Sequence, residues 1–485
     1  MDICNEKMRQ LGALGLPQIR SSVLVILFFF PMLGFSEELE LKVIRPVPGE
    51  ALSIRQGGTF VIGTVSPPQA TLTVNGAQAD VSDDGAFIAF APIQTLAKPV
   101  SIRLAGGPRK KVDAAFDFVA RAGDRKLDCQ VLVSLPAVEK KKESPVEDWK
   151  PVAYRVRTEQ VLSQTATTNW GLLYLPQNAF VWVTGRQGTR LRVQAGLGQQ
   201  TWIERSELEP LKQIPAVTNI AVITVSAQTT RFEVGAILPF AIEQKLSPPQ
   251  LSVTLFCPDS IRAFPVPCPT QPPWGFAATY ATNTLVVTQR IPRAPRHGLQ
   301  GKIVCLDPGH NPDSGAIGPR GFQEREANLK IGLALERLLT AAGAKVVFTH
   351  RSEPLPLLQR RAAVLRYDPD IFLSLHNNSI PDGTDPRIKY GTSTFYYHPQ
   401  SKLLAETIHA ALLSGLGFPD LKVQPKSLYV CRISECPAIL VEPAFIILPD
   451  QERLLMNEPG QQKIAKAIFD GIQRFFVSQT TTSTR

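Results

Sequence analysis

The sequence predicts an α/β C-terminal domain, a mainly parallel sheet with helices on both faces, preceded by several small all-β modules. After residue 298, buried-strand patterns alternate with amphipathic helix patterns, which is typical of parallel strands joined by helical crossovers. Before residue 298, short strand patterns are separated by turn signals such as Asn75-Gly76 and Asp84-Gly85. Most of the 41 prolines also lie in this first part, which favours loop-rich β modules over helices.

Residues 1–36 are predicted to be a secretory signal peptide. Lys7, Arg9 and Arg20 form a basic lead, and the apolar stretch VLVILFFFPMLGF is too short for a membrane span. Gly34-Phe35-Ser36 supplies small residues at the cleavage position. The chain is therefore expected to be exported to the periplasm or cell envelope, with no stable membrane span after cleavage. The alternative is a retained N-terminal anchor.

Four segments are predicted between the signal and the C-terminal domain. They are an immunoglobulin-like β-sandwich module (37–120), a charged linker (121–150), a Src-homology-3-like small barrel (151–213), and a β-rich module with a linker (214–297). The small barrel resembles bacterial modules that bind cell-wall peptides. In it, Trp170 and Tyr174 either line a peptide groove or belong to the core.

Charge and histidine content limit the function classes. The net charge of +10 suits an anionic envelope polymer or nucleic acid. No basic block with interleaved aromatic residues occurs, so nucleic-acid binding is not expected. All six histidines lie between residues 297 and 409, which confines histidine-based metal chemistry to the C-terminal domain.

Export implies an oxidising compartment, in which cysteines can pair. Cys257 and Cys268 flank a proline-rich loop and are predicted as a possible disulfide. Cys431 and Cys436 bracket a predicted turn and are a second possible pair. Cys305 lies within a predicted strand and is expected to be a buried thiol.

The elements of the C-terminal domain follow from periodicity. Ile331, Leu335 and Leu338 share one helical face, and Gly343 ends that helix. The predicted helices are Asn328–Leu339, Leu357–Arg366, Lys402–Leu416 and Lys463–Phe476, and further strands are KVVFT (345–349) and TSTFYY (392–397).

Three predicted strands each end in a side chain suited to metal or acid–base chemistry. KIVCL runs into Asp-Pro-Gly and His310, IFLSL into His376, and AILV into Glu442. Ligands of open α/β sheets bind outside the carboxyl ends of the strands, so these side chains are predicted to converge. Glu324, with Glu326 as its competitor, begins a helical pattern where an ionised carboxylate is favoured. Two histidines, one glutamate and a spare glutamate are the usual set of a hydrolytic zinc site.

The motifs around these residues resemble the zinc-dependent N-acetylmuramoyl-L-alanine amidases of bacterial cell walls. The resemblance covers residues 300–476 and rests on DPGHNPDSGAIGPRG, QEREANL, FLSLHNNS and PAILVEPAF. It implies cleavage of the amide between the lactyl group of N-acetylmuramic acid and the L-alanine of the stem peptide, with peptidoglycan as the partner. It also implies zinc ligands His310, Glu324 and His376, with Glu442 as the general base.

The chain departs from the family pattern at two places. Pro443-Ala444-Phe445 follows the catalytic glutamate, where a family member usually has glycine before phenylalanine, and His350 interrupts a Thr-Arg pair. Asn378 is expected to orient the second histidine or the substrate, or else to be a turn residue. Arg432 is expected to lie near the peptide's carboxylates, or else to be exposed.

The catalytic domain is predicted to span 298–478, followed by a disordered tail at 479–485. Between His376 and Glu442 no helical pattern is left over that could cover the zinc, so an open site is predicted; the alternative is control by an envelope regulator. Two other functions are considered. A noncatalytic envelope-binding protein would lack a ligand or the base, and a zinc peptidase would cut within the stem peptide.

Overall fold

The computed structural model describes most of the chain, including the whole C-terminal domain. The described ranges are 38–103, 107–136, 144–163, 172–194, 200–217, 219–268, 273–293 and 298–481. The predicted signal peptide, Trp170 and residues 482–485 lie outside them. In these ranges, no helix combines the length and apolar composition that crossing a membrane requires.

The first module is a sandwich of two antiparallel sheets. Its described strands are β1 (Glu40–Arg45), β2 (Gly58–Ser66), β3 (Thr71–Val74), β4 (Ala77–Gln78), β5 (Asp80–Val81), β6 (Ala86–Pro92), β7 (Gln94–Arg103), β8 (Arg109–Ala122) and β9 (Arg125–Val133). β9 pairs with β8 from Ala114↔Val133 to Ala122↔Arg125. The prediction of a linker from residue 121 is therefore wrong for β9, whose alternating Val131 and Val133 belong to the sandwich core. We call residues 38–136 the N-terminal sandwich.

The second module runs from residue 144 to 293. Its described strands are β10 (Glu147–Val156), β11 (Gln160–Ser163), β12 (Leu172–Leu175), β13 (Phe180–Gln187), β14 (Arg190–Gln194), β15 (Gln200–Glu204), β16 (Leu208–Pro210), β17 (Ala221–Ser226), β18 (Thr229–Glu233), β19 (Phe240–Leu246), β20 (Pro249–Phe256), β21 (Ile261–Val266), β22 (Gly275–Ala281) and β23 (Thr284–Arg290). They form three sheets, in the orders β15-β14-β13-β10-β16, β11-β12-β19-β20-β21 and β17-β18-β23-β22.

The predicted boundary at residue 213 does not separate two independent sheets. β12 lies before that boundary and β19 after it, yet they pair through Leu173↔Ala241 and Tyr174↔Phe240. The Tyr174 ring stacks on Phe240 with centroids 4.8 Å apart. Tyr174 therefore packs in the interior of this module, as the core alternative predicts, and does not line a groove.

The predicted Cys257–Cys268 disulfide is absent, and both thiols are free. β20 and β21 pair from Phe256↔Ile261 to Leu251↔Val266, so Cys257 follows one end of this hairpin and Cys268 follows the other. Five residues of strand correspond to about 17 Å, whereas a disulfide requires Cα atoms less than about 7 Å apart. Cys431 and Cys436 are also free and fully buried, and Cys305 is a buried thiol as predicted.

The C-terminal domain is a six-stranded mixed sheet in the order β25-β24-β26-β29-β27-β28. Its strands are β24 (Ile303–Pro308), β25 (Lys345–Phe348), β26 (Ile371–Leu375), β27 (Thr392–Tyr396), β28 (Asp420–Pro425) and β29 (Ala438–Glu442). Its α-helices are α1 (Glu324–Ala341), α2 (Arg360–Tyr367), α3 (Lys402–Leu416), α4 (Pro449–Met456) and α5 (Glu458–Thr481). All pairings are parallel except β27 with β29. Because α5 continues to Thr481, the predicted disordered tail starts too early.

Helices cover both faces of this sheet. Leu375 of β26 lies under α1, where its Cδ1 atom is close to Gly332. The neighbouring Ser374 points to the opposite face, since side chains alternate along a strand. There it donates a 2.7 Å hydrogen bond to Asp307, whose carboxylate also pairs with Arg360 of α2 at 2.8 Å.

The second module docks at the amino ends of the central strands. Trp274 is buried and packs on Phe475 and Phe476 of α5. Its indole N–H donates to the carbonyl of Asp370, the residue before β26, at 2.5 Å. The carboxyl edge of the sheet, where the predicted site lies, is therefore on the other side of the domain.

Candidate metal centre

The parallel register brings the ends of three strands into line. Pro308 pairs with Leu375, and Leu375 pairs with Val441. His376 comes directly after Leu375, and Glu442 comes directly after Val441. His310 comes after Pro308 with one glycine between them. That glycine, Gly309, is required by space, because a Cβ atom there would lie 2.3 Å from the His376 ring. The strand register therefore brings His310, His376 and Glu442 together, as the sequence predicts.

His310, Glu324 and His376 form a compact cluster. Their potential ligand atoms all lie within 4.8 Å of one another. Nε2 of His310 is 2.9 Å from Oε2 of Glu324, and Nδ1 of His376 is 3.0 Å from Oε1. Glu324 is the first residue of α1 and is buried, as the helix-start argument predicts. Its carboxylate also accepts the backbone N–H groups of Ala316 and Asn377, at 2.9 and 3.1 Å.

The carboxylate of Glu324 interacts electrostatically with the two histidine rings. Burial alone would raise the pKa of Glu324, but hydrogen bonds with His310 and His376 hold that pKa well below its usual range. Burial alone would lower the pKa of His310, but its hydrogen bonds with Glu324 and Asp313 raise it. The carboxylate is thus ionised and aimed at two imidazoles, which is the charge state a metal site needs.

Asp313 is a site residue that the sequence argument missed. Its Oδ1 atom lies 2.6 Å from Nδ1 of His310. This contact leaves Nε2 of His310 to face the cluster, the arrangement by which a second carboxylate usually orients a metal-binding histidine. The signal in the sequence is its position three residues after His310, within the same turn.

A buried polar group holds the turn that carries His310. His310 and Asn311 have φ angles of 70° and 59°, in the left-handed region. Arg360, 3% exposed, donates to the carbonyls of Pro308, at 3.0 Å, and of His310. The same guanidinium pairs with the fully buried Asp307. Arg360 therefore ties the strand end and the strained turn to α2.

Asn377 and Asn328 link the segment after His376 to the turn before His310. Asn377 donates from Nδ2 to Oδ1 of Asn328 at 2.9 Å, and Asn328 donates to the carbonyl of Gly309 at 3.2 Å. Asn378, the predicted orienting residue, instead links two loops. Its backbone N–H donates to Ala444 at 2.7 Å, and its side chain donates to Ser393. The residue that contacts the cluster is Asn377, one position earlier.

Glu442 ends β29 beside the cluster. Its Oε2 atom is buried and has no hydrogen-bond partner among the described residues. Burial, and then the charge of Glu324, raise the pKa of Glu442 well above its usual range, while Lys426 opposes this. The unusual Pro443 is accommodated, because its carbonyl accepts a 2.8 Å hydrogen bond from Thr392.

Arg432 lies in the 3₁₀ turn Val430–Arg432, which precedes β29 in the chain. Its guanidinium lies over the ring of Tyr429, 5.8 Å from the centroid, and its carbonyl accepts from His398. The neighbouring Cys431 donates to the carbonyl of Phe395 at 3.5 Å, so this turn packs against β27. The position of Arg432 near the carboxylates of the peptide stays a prediction.

The residues fit a zinc ion. Two imidazole nitrogens and one carboxylate oxygen are a ligand set found in zinc hydrolases, in which a fourth position stays open. A buried carboxyl oxygen without a hydrogen-bond partner, such as Oε2 of Glu442, is costly to a fold unless it has a use. The interval from His376 to Glu442, all of it described, contains α3 as its one α-helix, and α3 packs on β27 and α5. The open site stays a prediction.

Residues 304–474 match the family model of N-acetylmuramoyl-L-alanine amidase. The chain is 34% identical over 200 residues to "N-acetylmuramoyl-L-alanine amidase LytC" of Bacillus subtilis (strain 168), covering 40% of this chain and 39% of that protein. "Probable cell wall amidase LytH" of Staphylococcus aureus is 27% identical over 205 residues, covering 42% of this chain and 67% of that protein. The chain thus spans about two fifths of the Bacillus relative's length. The resemblance stated from the motifs is confirmed for the C-terminal segment.

Two solved structures are similar to a little over a third of this chain. The catalytic domain of CwlV, an N-acetylmuramoyl-L-alanine amidase from Bacillus (Paenibacillus) polymyxa var. colistinus, is 31% identical with a TM-score of 0.34, covering 36% of this chain and 97% of that one. The amidase AmiC2 of Nostoc punctiforme is 29% identical with a TM-score of 0.34, covering 37% and 98%.

Proposed function

We propose that this chain, whose residues 304–474 belong to the N-acetylmuramoyl-L-alanine amidase family, is an exported zinc amidase of peptidoglycan. The bond cleaved is the amide between the lactyl group of N-acetylmuramic acid and the L-alanine of the stem peptide. The observation that carries the proposal is the His310–Glu324–His376 cluster with Glu442 beside it, whose buried Oε2 atom has no partner among the described residues.

His310, Glu324 and His376 would hold the zinc ion. When bound, zinc supplies Lewis acidity, which polarises an amide carbonyl and lowers the pKa of water towards about 7. Asp313 keeps the His310 ring oriented, and the two backbone N–H groups on Glu324 keep that carboxylate in place. These contacts fix the ligands before a metal arrives, which favours affinity.

Glu442 is proposed as the general base and acid. Its carboxylate takes the proton of the attacking water and returns it to the leaving L-alanine nitrogen. Burial, and then the charge of Glu324, raise the pKa of Glu442. Positive charge held by His310, Glu324 and His376 would oppose this effect and favour the ionised base.

Two other functions were weighed. A noncatalytic binding protein is disfavoured because no ligand and no base is missing from the described site. A zinc peptidase acting within the stem peptide would use the same groups and differ in the bond it cuts. Product analysis separates it from the amidase.

The test uses the full chain without residues 1–36, acting on purified sacculi with and without a chelator. New L-alanine amino groups should form only with metal, and they should be absent with Glu442→Gln, which keeps the shape of the side chain but cannot take the proton. Release of amino groups from other stem residues would identify a peptidase. Turnover by Glu442→Gln near that of the unmodified chain would remove Glu442 from the mechanism.

A further inference from the structure

The N-terminal sandwich is fixed to the loop that follows His376. In that loop, the Asp382 side chain is only 4% exposed. It accepts hydrogen bonds from Nη2 of Arg45 at 2.7 Å, from the backbone and hydroxyl of Ser53 at 2.7 and 2.9 Å, and from the hydroxyl of Thr59 at 2.5 Å. Four donors on one buried carboxylate make a specific junction, not a chance surface contact.

A second junction joins the sandwich to the loop between His310 and Glu324. Arg320 of that loop is bidentate to Asp84 of the sandwich, with distances of 2.6 to 2.9 Å. The same guanidinium also binds the fully buried Glu452 of α4 at 2.8 Å. Both loops that follow the zinc-binding histidines therefore rest on the sandwich.

Apolar packing continues the contact. Phe60, Ile62 and Ile88 of the sandwich are buried in the same cluster as the core of the C-terminal domain. The backbone N–H of Gly383 donates to the carbonyl of Gly58 at 3.1 Å. A junction that shares a hydrophobic core is rigid, unlike the linkage between domains that are joined only by a flexible linker.

A cleft of about 520 Å³ lies between the N-terminal sandwich and the C-terminal domain. Asp80, Ser82 and Ile88 of the sandwich form one wall, and Arg387, Tyr390 and Gln451 belong to the other. We call it the interdomain cleft. Gln451 also accepts the backbone N–H of Phe445 at 2.6 Å, and Phe445 bridges to Asn378. Gln451 of the cleft wall thus contacts the segment that follows Glu442, and that segment pairs with the one that follows His376.

We propose that the interdomain cleft is a subsite for the glycan strand of peptidoglycan, beyond the disaccharide whose amide is cut. This inference rests on the proposed function and deepens it. In the lining, Asp80 and Asp83 of the sandwich are ion-paired with Arg387 and Arg453 of the catalytic domain. Asp450 then gives the lining a slight negative excess, which disfavours the carboxylates of a stem peptide.

Neutral sugar hydroxyl groups match this lining. They can donate to carboxylates and accept from guanidinium groups, so they do not require a net charge. The half-buried Tyr390 ring provides an apolar body for the face of a sugar. The N-terminal sandwich would then select for glycan length and is not a spacer.

Bulky plugs placed from opposite walls test the proposal in the full chain without residues 1–36. Asp450→Trp and Asp80→Trp change side chains that are 91% and 65% exposed, so both variants are expected to fold. Glu406→Trp on α3, 47% exposed and away from the cleft, is the matched control. The substrates are a single-disaccharide muropeptide and a strand of several disaccharides.

Each plug should raise KM for the long strand about tenfold more than for the single disaccharide, with zinc content unchanged. The control should show no such difference. Equal effects of a plug on both substrates, or none on either, would overturn the subsite. Absence of hydrolysis of both substrates by the unmodified chain would instead overturn the proposed function.

Discussion

Replacing Asp382 with asparagine is expected to weaken the junction between the N-terminal sandwich and the catalytic domain by about 2 kcal/mol. Burial alone would raise the pKa of this carboxyl, but hydrogen bonds from Ser53, Thr59 and Arg45 lower it from 3.8 to about 2. At about 1.4 kcal/mol per pKa unit, that difference gives the stated magnitude. The side chain is almost fully buried, so solvent screening does not reduce it much.

The sign of the pH dependence follows from the lowered pKa. A carboxyl group whose pKa is lower in the folded state stabilises that state above its unfolded pKa. The contribution of Asp382 should therefore be complete above pH 4 and should disappear as the pH falls towards 2. Subtracting the variant from the unmodified chain isolates this carboxyl from the others that titrate in the same range.

The assay is urea unfolding of both proteins at stepped pH values. The difference should be about 2 kcal/mol at pH 7 and close to zero near pH 2. Asp470→Asn on α5, which removes an exposed pair with Lys466, is the control and should cost less than about 0.5 kcal/mol. Equal stability of Asp382→Asn and the unmodified chain at pH 7, or a difference independent of pH, would refute the reasoning.

Three further substitutions and one alkylation experiment test other parts of the structure. His310→Ala should abolish stoichiometric zinc, measured by elemental analysis; full zinc content would remove His310 from the ligand set. Arg360→Lys should weaken zinc affinity about 10- to 100-fold, because an ammonium cannot bridge Asp307 and two turn carbonyls; unchanged affinity in competition with a chelator would contradict this role. Trp274→Ala should cost about 3–5 kcal/mol in urea unfolding, and a loss below about 1 kcal/mol would mean that the second module is not part of the catalytic core. Cys257 should be alkylated in denatured, unreduced protein, whereas a disulfide to Cys268 found by mass spectrometry would contradict the hairpin register.

The side chains of the candidate metal centre could be located because each stands beside a strong local sequence pattern. His310, His376 and Glu442 each follow an apolar run long enough to be a buried strand, and parallel pairing then places strand ends together. Glu324 could be placed because it begins a helix. The roles of all four residues were implied by the family resemblance and not by these local patterns.

The cysteine pair shows where this reasoning stops. The prediction rested on export and on the eleven residues of spacing between Cys257 and Cys268, and neither reveals the hairpin register that separates them. A short separation along the chain was mistaken for a short distance in space.

The junctions around the site could not be predicted. Arg45 and Asp382 are separated by 337 positions, and each looks like an ordinary solvated charge in its own segment. Only folding makes one of them a buried acceptor. The interior of this protein therefore contains charges that no hydrophobic pattern marks, and they lie where separate modules meet.

The placement of the second module has a mechanical consequence. Trp274 anchors it at the amino ends of the strands, while the His310–Glu324–His376 cluster lies at their carboxyl ends. A substitution at this anchor can therefore reach the cluster only through the sheet itself, over at least one strand length, roughly 16 Å. Loss of the anchor should loosen the strands from below, whereas the side chains of the cluster keep their own local hydrogen bonds.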